Sequence, residues 1–344
     1  MVQTLAIAVG AGLVSALLFG VLLKASALAI VLYLLSPLPI LIVGLGWSRR
    51  AALGAAATGA VALAVTIAPF LGLGYAAYIG LPAWWLAYLA LLGRPTPEGG
   101  LEWYPTGRLL GWIAGTAALA FLAIAVLSSP DHDTFRSRLR SLSGTVVRAQ
   151  MGDLPARPGT GQMEAGKPDP GKSDPGMSES GTPETGARPE AHADLADALA
   201  RVVPAFAANG LAVLLAFYLW AAARIVQISG RLPRPWPDIP ATQMPRAVLG
   251  VAAVATALSL APGYPGVLGS ALLGALAAAF ALQGLAAFHD RSRGRSGRRA
   301  MLFALYLFLF MTQGFALLVL TLFGIADTAL NRRRPGPAPA GGRS

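Results

Sequence analysis

The stretch QTLAIAVGAGLVSALLFGVLL, residues 3–23, carries no charged side chain. At 1.5 Å per residue a helix over it crosses a hydrocarbon core about 30 Å thick. Eight further apolar stretches follow, near 26–46, 51–70, 73–93, 108–127, 202–223, 247–261, 266–288 and 300–324. The whole chain of 344 residues is 55% hydrophobic and 12% charged, where a soluble domain carries about a quarter charged residues. The expected fold is therefore an all-α, polytopic membrane helix bundle with eight or nine transmembrane helices. The range reflects two irregular stretches: the second contains Ser36, Pro37 and Pro39, and the seventh ends at APGYPG, residues 261–266. The first stretch lacks a basic start and runs directly into more apolar sequence, which predicts a retained helix rather than a cleaved signal.

The organisation follows from these spans. Residues 1–128 form one set of membrane helices, 129–201 a polar segment, 202–330 a second set and 331–344 a basic tail. Within the polar segment, QMEAGKPDPGKSDPGMSESGTPETG at 162–186 divides into five pentads, each ending in glycine with an acid at its third place. A five-residue period fits neither helix nor strand, and pentads with so little to bury predict a disordered tether. It is either a spacer or a periplasmic arm that binds a basic partner or divalent cations. Its flanks, RSRLRSLSGTVVRAQM and DLADALARVVPAF, are expected to be short amphipathic helices at the interface.

The net charge of +11 lies mostly beside apolar stretches, at Arg49 and Arg50, Arg224 to Arg246, Arg291 to Arg299 and Arg332 to Arg334. Cations so placed set orientation and hold anionic lipid headgroups, so membrane lipids are expected partners and nucleic acid is not. With nine crossings an inside N-terminus gathers more basic residues on the inside and puts 129–201 outside. One conflict remains: Arg298 and Arg299 precede the last stretch while Arg332 to Arg334 follow it, and a single crossing would separate them.

Several chemistries are excluded. There is no cysteine, hence no disulfide, thiolate nucleophile or sulfur metal site. The three histidines, His132, His192 and His289, offer no i, i+4 pair for zinc, and no glycine cluster leads into the Lys-Ser/Thr of a nucleotide loop. No metal, no cofactor and no catalytic residue is expected. Apart from Asp327 near the end of the last stretch, no Asp or Glu lies inside an apolar stretch, which argues against proton antiport.

Polar side chains in the spans are Asn209, Gln283 and Gln313, each costly against lipid and so expected to point inward. They either bond helix to helix or line a ligand site. The aromatic run YAAYIGLPAWWLAY, residues 75–88, offers Trp84, Trp85 and Tyr88 as a belt at the membrane surface or as stacking walls for a flat ligand. Small residues recur every fourth place at Ala8, Gly12, Ala16 and Gly20. Such a stripe lets another helix approach closely, either in a membrane protein partner or within this bundle. The pattern repeats at Ala51, Ala55 and Gly59 and at Ala271, Ala275 and Ala279.

The run ALQGLAAFHDRSRGRSGRRAMLFALYLFLF, followed by FGIADTALNRRR, resembles the end of the YybS-like predicted membrane proteins, a family of unknown function. SPLPILIVGLGWSRRAALGAAATGAVAL resembles the second and third helices of the same family. More distantly, the Pro-rich second helix and small-residue third helix are similar to the substrate-binding membrane subunits of energy-coupling-factor vitamin transporters. That likeness implies a multi-pass inner-membrane protein acting as a solute-binding or permease subunit energised by a partner. The alternative is a noncatalytic membrane scaffold working through helix contacts. Neither reading makes the protein an enzyme.

Overall fold

The computed structural model describes residues 2–24, 26–97, 99–129, 131–151, 187–312 and 314–330. The pentad repeat, Gln313 and the basic tail lie outside the described residues. The described chain divides into two units, residues 1–130 with 204–344, and residues 131–203.

In the larger unit, α1 (Val2–Gly20) continues through a 3-10 turn to Lys24, and α2 (Ala27–Leu34) and α3 (Pro37–Gly46) form the second span. Pro37 explains the break, since proline is tolerated at a helix start but not inside one. α4 (Arg49–Thr66) starts at Ser48, whose Oγ accepts the Ala51 N–H, as an N-cap residue should. α5 (Pro69–Tyr75) runs through a wide π turn, Ala76–Gly80, into α6 (Leu81–Ala90), and α7 (Thr106–Ser128) follows. Between them lies one departure from an all-helical expectation, an antiparallel hairpin of β1 (Gly93–Pro95) and β2 (Leu101–Trp103), with Arg94 opposite and bonded to Glu102.

α8 (His132–Met151) and the first part of α9 (Ala187–Ile228) make the smaller unit, joined by an ion pair of Arg140 with Asp197. The segment DLADALARVVPAF is thus not a separate short helix but part of α9, and the unit boundary falls at Pro204 within it. The larger unit continues with α10 (Ala247–Ser259), α11 (Tyr264–Arg291), α12 (Arg298–Thr312) and α13 (Gly314–Leu330).

Among the described residues, six helical segments are long and apolar enough to cross a membrane: 2–24, 27–46, 69–90, 106–128, 194–228 and 264–291. Helices α10 and α13 are shorter. α4 has the length but begins with two arginines and is rich in alanine. It packs against α1, α3, α5 and α6 and buries Ala51, Ala52, Ala55, Ala56, Gly59 and Leu63. A helix enclosed by other helices needs no greasy surface of its own.

Directions can be read from the contacts. α1 and α4 run parallel, Ala8 beside Gly54 and Gly20 beside Leu63 and Ile67. α7 and α11 run antiparallel, because the Tyr264 hydroxyl donates to Ser129 O while the Thr106 end of α7 meets Thr242 and Gln243. The stretch 300–324 is not one helix. Thr321 bonds Ala277 O and Asp327 meets both Gln283 and Arg291, so α13 runs parallel to α11 and α12 carries the chain back between them. α13 therefore ends beside Arg291. The conflict between Arg298–Arg299 and Arg332–Arg334 disappears, since the chain leaves α13 at the end where it entered α12. At this same end lie thirteen of the described arginines of the larger unit, from Arg49 to Arg299; Lys24 alone lies at the other.

Candidate functional site

Close crossings fix the frame. On α1, Ala8, Gly12 and Ala16 are buried. A Cβ on Gly12 would overlap the Ala55 carbonyl and lie 2.9 Å from the Thr58 Cβ. The small-residue stripe is therefore filled by α4 of the same chain. Gly59, in the α4 stripe, leaves room for the ring of Tyr75, whose hydroxyl donates to Ser15 Oγ at 2.7 Å, and Ser15 in turn donates to Ser36 O at 2.6 Å. In the second half, Asn209 Nδ2 donates to Gly274 O at 2.9 Å, and Gly274 lies against the Ala205 backbone. Asn209 thus ties α9 to α11 at their crossing.

Gln283 is 0% exposed and fully engaged. Its Oε1 accepts the Met244 N–H at 3.0 Å, and its Nε2 donates to Asp327 Oδ2 at 3.0 Å and Thr328 Oγ1 at 2.9 Å. Asp327, 2% exposed, also accepts from Arg291 Nη2 at 3.0 Å. One amide thereby clamps the end of the 231–246 loop, α11 and α13. Because it reaches Met244, the loop enters the bundle about 12 Å below the end of α11, eight residues at 1.5 Å each. That depth is why α10 is short.

Trp84, Trp85 and Tyr88 stack on one another at 5.6–6.3 Å between centroids, with Trp112 edge-on to Trp85 and Arg49 over Tyr88. Their faces are taken by each other and by Arg49, at the arginine-rich end. None of the three lines the cavity described next.

Beyond the Asn209 crossing, a cavity of about 550 Å³ lies between α7, α9 and α11. Leu109, Leu110 and Ile113 of α7 form its back, Val213, Phe217 and Trp220 of α9 one wall, and Leu282, Leu285 and His289 of α11 the other. The loop 231–246 is its roof, contributing Leu232, Arg234, Trp236 and Ile239. The interior is almost wholly apolar. Val213, Phe217 and Trp220 of α9 and Ile239 of the loop line it yet are 40–53% exposed, so the cavity opens to the outside along α9 and the loop.

Polar groups gather only at the roof. Arg234 donates to Ala90 O at 3.0 Å, has no carboxylate partner among the described residues, and burial lowers its pKa. Arg224 lies over Trp236 and Arg231 over Trp47. Arg293, by contrast, is paired with Asp238. The His289 ring is held between Leu285 O at its Nδ1 and the Tyr306 hydroxyl at its Nε2.

Of the residues singled out from sequence, Gln283 and Asn209 set the frame around this cavity, the aromatic trio lies apart from it, and Gln313 is outside the described residues. The lining itself was missed. Its one legible signal was the loop RLPRPWPDIPATQMPR, where prolines, a tryptophan and arginines interrupt apolar sequence. Among the described residues no cluster of metal-ligating side chains occurs.

No curated protein and no solved structure matches the chain. Residues 177–328 match the family described as Predicted membrane protein (DUF2232), a span covering α9 to α12, nearly all of α13 and the cavity roof. Over that part the chain is similar to a family of membrane proteins.

Proposed function

We propose that this protein is a non-enzymatic, solute-binding membrane subunit whose ligand occupies the cavity between α7, α9 and α11. The cavity carries the reading: its volume lies in the range of small-molecule sites, about 300–1,000 Å³, with an apolar interior and a few polar groups at one end. The likeness to energy-coupling-factor subunits points the same way. Energy from a partner fits the lack, among the described residues, of a free carboxylate inside the apolar helices, since Asp327 is engaged by Arg291 and Gln283. A protonophore at constant cellular ATP should therefore leave transport running.

In this reading the bundle crosses the bacterial inner membrane eight times, α4 and α10 included, with α12–α13 a hairpin dipping in from the arginine-rich face. That face is cytoplasmic by the excess of arginine. Both α1 and α13 have their outer ends there.

Native mass spectrometry of the purified protein tests the assignment. One equivalent of a small molecule should be retained and lost in Ile113→Trp, which fills the cavity. Only loosely held lipid, unaffected by that substitution, would favour the scaffold instead.

A further inference from the structure

We infer that the ligand is an anionic single-chain amphiphile of the membrane, its chain in the apolar cavity and its phosphate or carboxylate head at Arg234. The inference rests on the solute-binding reading and adds the ligand class.

Three observations converge. First, the interior offers a hydrophilic solute nothing to bond, whereas a methylene takes about the space of a water, ~30 Å³, so 550 Å³ holds one acyl chain of lipid length. Second, the opening lies past Phe217 and Trp220, both half exposed. These are side chains suited to lipid, so an amphiphile can enter from the bilayer without first dissolving in water.

Third, the charges are unbalanced in one direction at the roof. Arg234 lines the cavity and, among the described residues, its one hydrogen bond is to the Ala90 carbonyl. Its neighbours Arg224 and Arg231 rest on tryptophan rings, and Asp238, the loop's one carboxylate, is consumed by Arg293. A half-buried guanidinium without a counter-ion is a strong, charge-assisted donor for an anion. A cation or a neutral solute would leave that desolvated charge uncompensated.

Binding of pyrene-labelled lysophosphatidylglycerol and of a pyrene-labelled monoacylglycerol, which has no phosphate, to the full chain in maltoside micelles tests this. The anionic probe should bind at one equivalent and about tenfold more tightly, the worth of one charge-assisted contact. Arg234→Gln, which removes the charge and keeps an amide donor, should abolish that preference while leaving the neutral probe's weaker binding intact. Thermal unfolding of the variant checks that it folds. If it does not, competition by unlabelled lysophosphatidylglycerol against unlabelled monoacylglycerol on the unaltered chain makes the same comparison.

Equal affinity for the two headgroups, or a preference that survives Arg234→Gln, overturns the headgroup assignment but leaves the cavity as a solute site. Displacement of the anionic probe by inorganic phosphate alone would identify a free anion as ligand and overturn the lipid assignment. Absence of saturable binding by either probe overturns this inference. The cavity reading itself fails only if native mass spectrometry also finds no ligand sensitive to Ile113→Trp.

Discussion

At Gly12 one hydrogen atom decides how α1 and α4 meet, because any side chain there would overlap the backbone of Ala55. Gly12→Leu should lower the unfolding temperature in detergent by an amount corresponding to about 1–3 kcal/mol of overpacking. Gly10→Leu, two residues away with nothing within 4 Å of its Cβ position, should leave it unchanged. Equal effects would mean that the stripe does not pack on α4. Gln283 shows a different limit. Its need for partners was legible, since an amide inside an apolar helix must be bonded. Its partners, Met244 and Thr328, were not, as they lie 39 and 45 residues away. The Asp327 pair is asymmetric: the Arg291 side chain is 39% exposed and the Asp327 side chain 0%. Arg291→Gln takes a charge-assisted partner from a buried carboxylate and should cost about 3 kcal/mol. Asp327→Asn frees an arginine that can turn to water and should cost less. The reverse order, read from unfolding temperatures, would place the pair elsewhere than in the protein interior.

At the level of elements, helix positions were legible wherever apolar runs were long. Seven of the nine stretches correspond to a helix or to two helices in line; α10 is shortened by the loop entering at Gln283. The stretch 300–324 reads as a single span because hydropathy has no sign of direction, and a hairpin of two apolar helices looks like one long helix. Only contacts with α11 reveal the reversal. The roof loop was legible as rigid, with its prolines, but not as the cover of a cavity. It is fastened by Asp238, whose carboxyl the Arg293 guanidinium holds below its usual range. A group whose folded pKa is depressed contributes above its unfolded value and loses that contribution as pH falls through the folded one. Proteolysis of residues 231–246 should thus be slow at neutral pH and rise only below about 4, the ordinary Asp range. In Asp238→Asn it should be a few-fold faster at neutral pH and lose that rise at low pH, the other fastenings at Met244 and Arg234 remaining. A rise already near neutrality would show that another group fastens the roof.

For the whole molecule, the distribution of arginine becomes simple once α12 and α13 are seen to go in and come back. The N-terminal end of α1, the β1–β2 hairpin, the segments at 47–49 and 229–246, the turn at 292–297 and the end of α13 all lie at one end of the larger unit, and on the proposed reading the number of crossings is then even. The absence of cysteine permits a clean test by single cysteines at four exposed sites, Gln3, Ser137, Ser296 and Leu330, probed in intact cells with a membrane-impermeant maleimide. Gln3→Cys, Ser296→Cys and Leu330→Cys should all be protected until the membrane is permeabilised, while Ser137→Cys should react from outside. Reaction of Leu330→Cys from outside, with Ser296→Cys protected, would make 300–324 a crossing helix and contradict the parallel packing of α13 on α11.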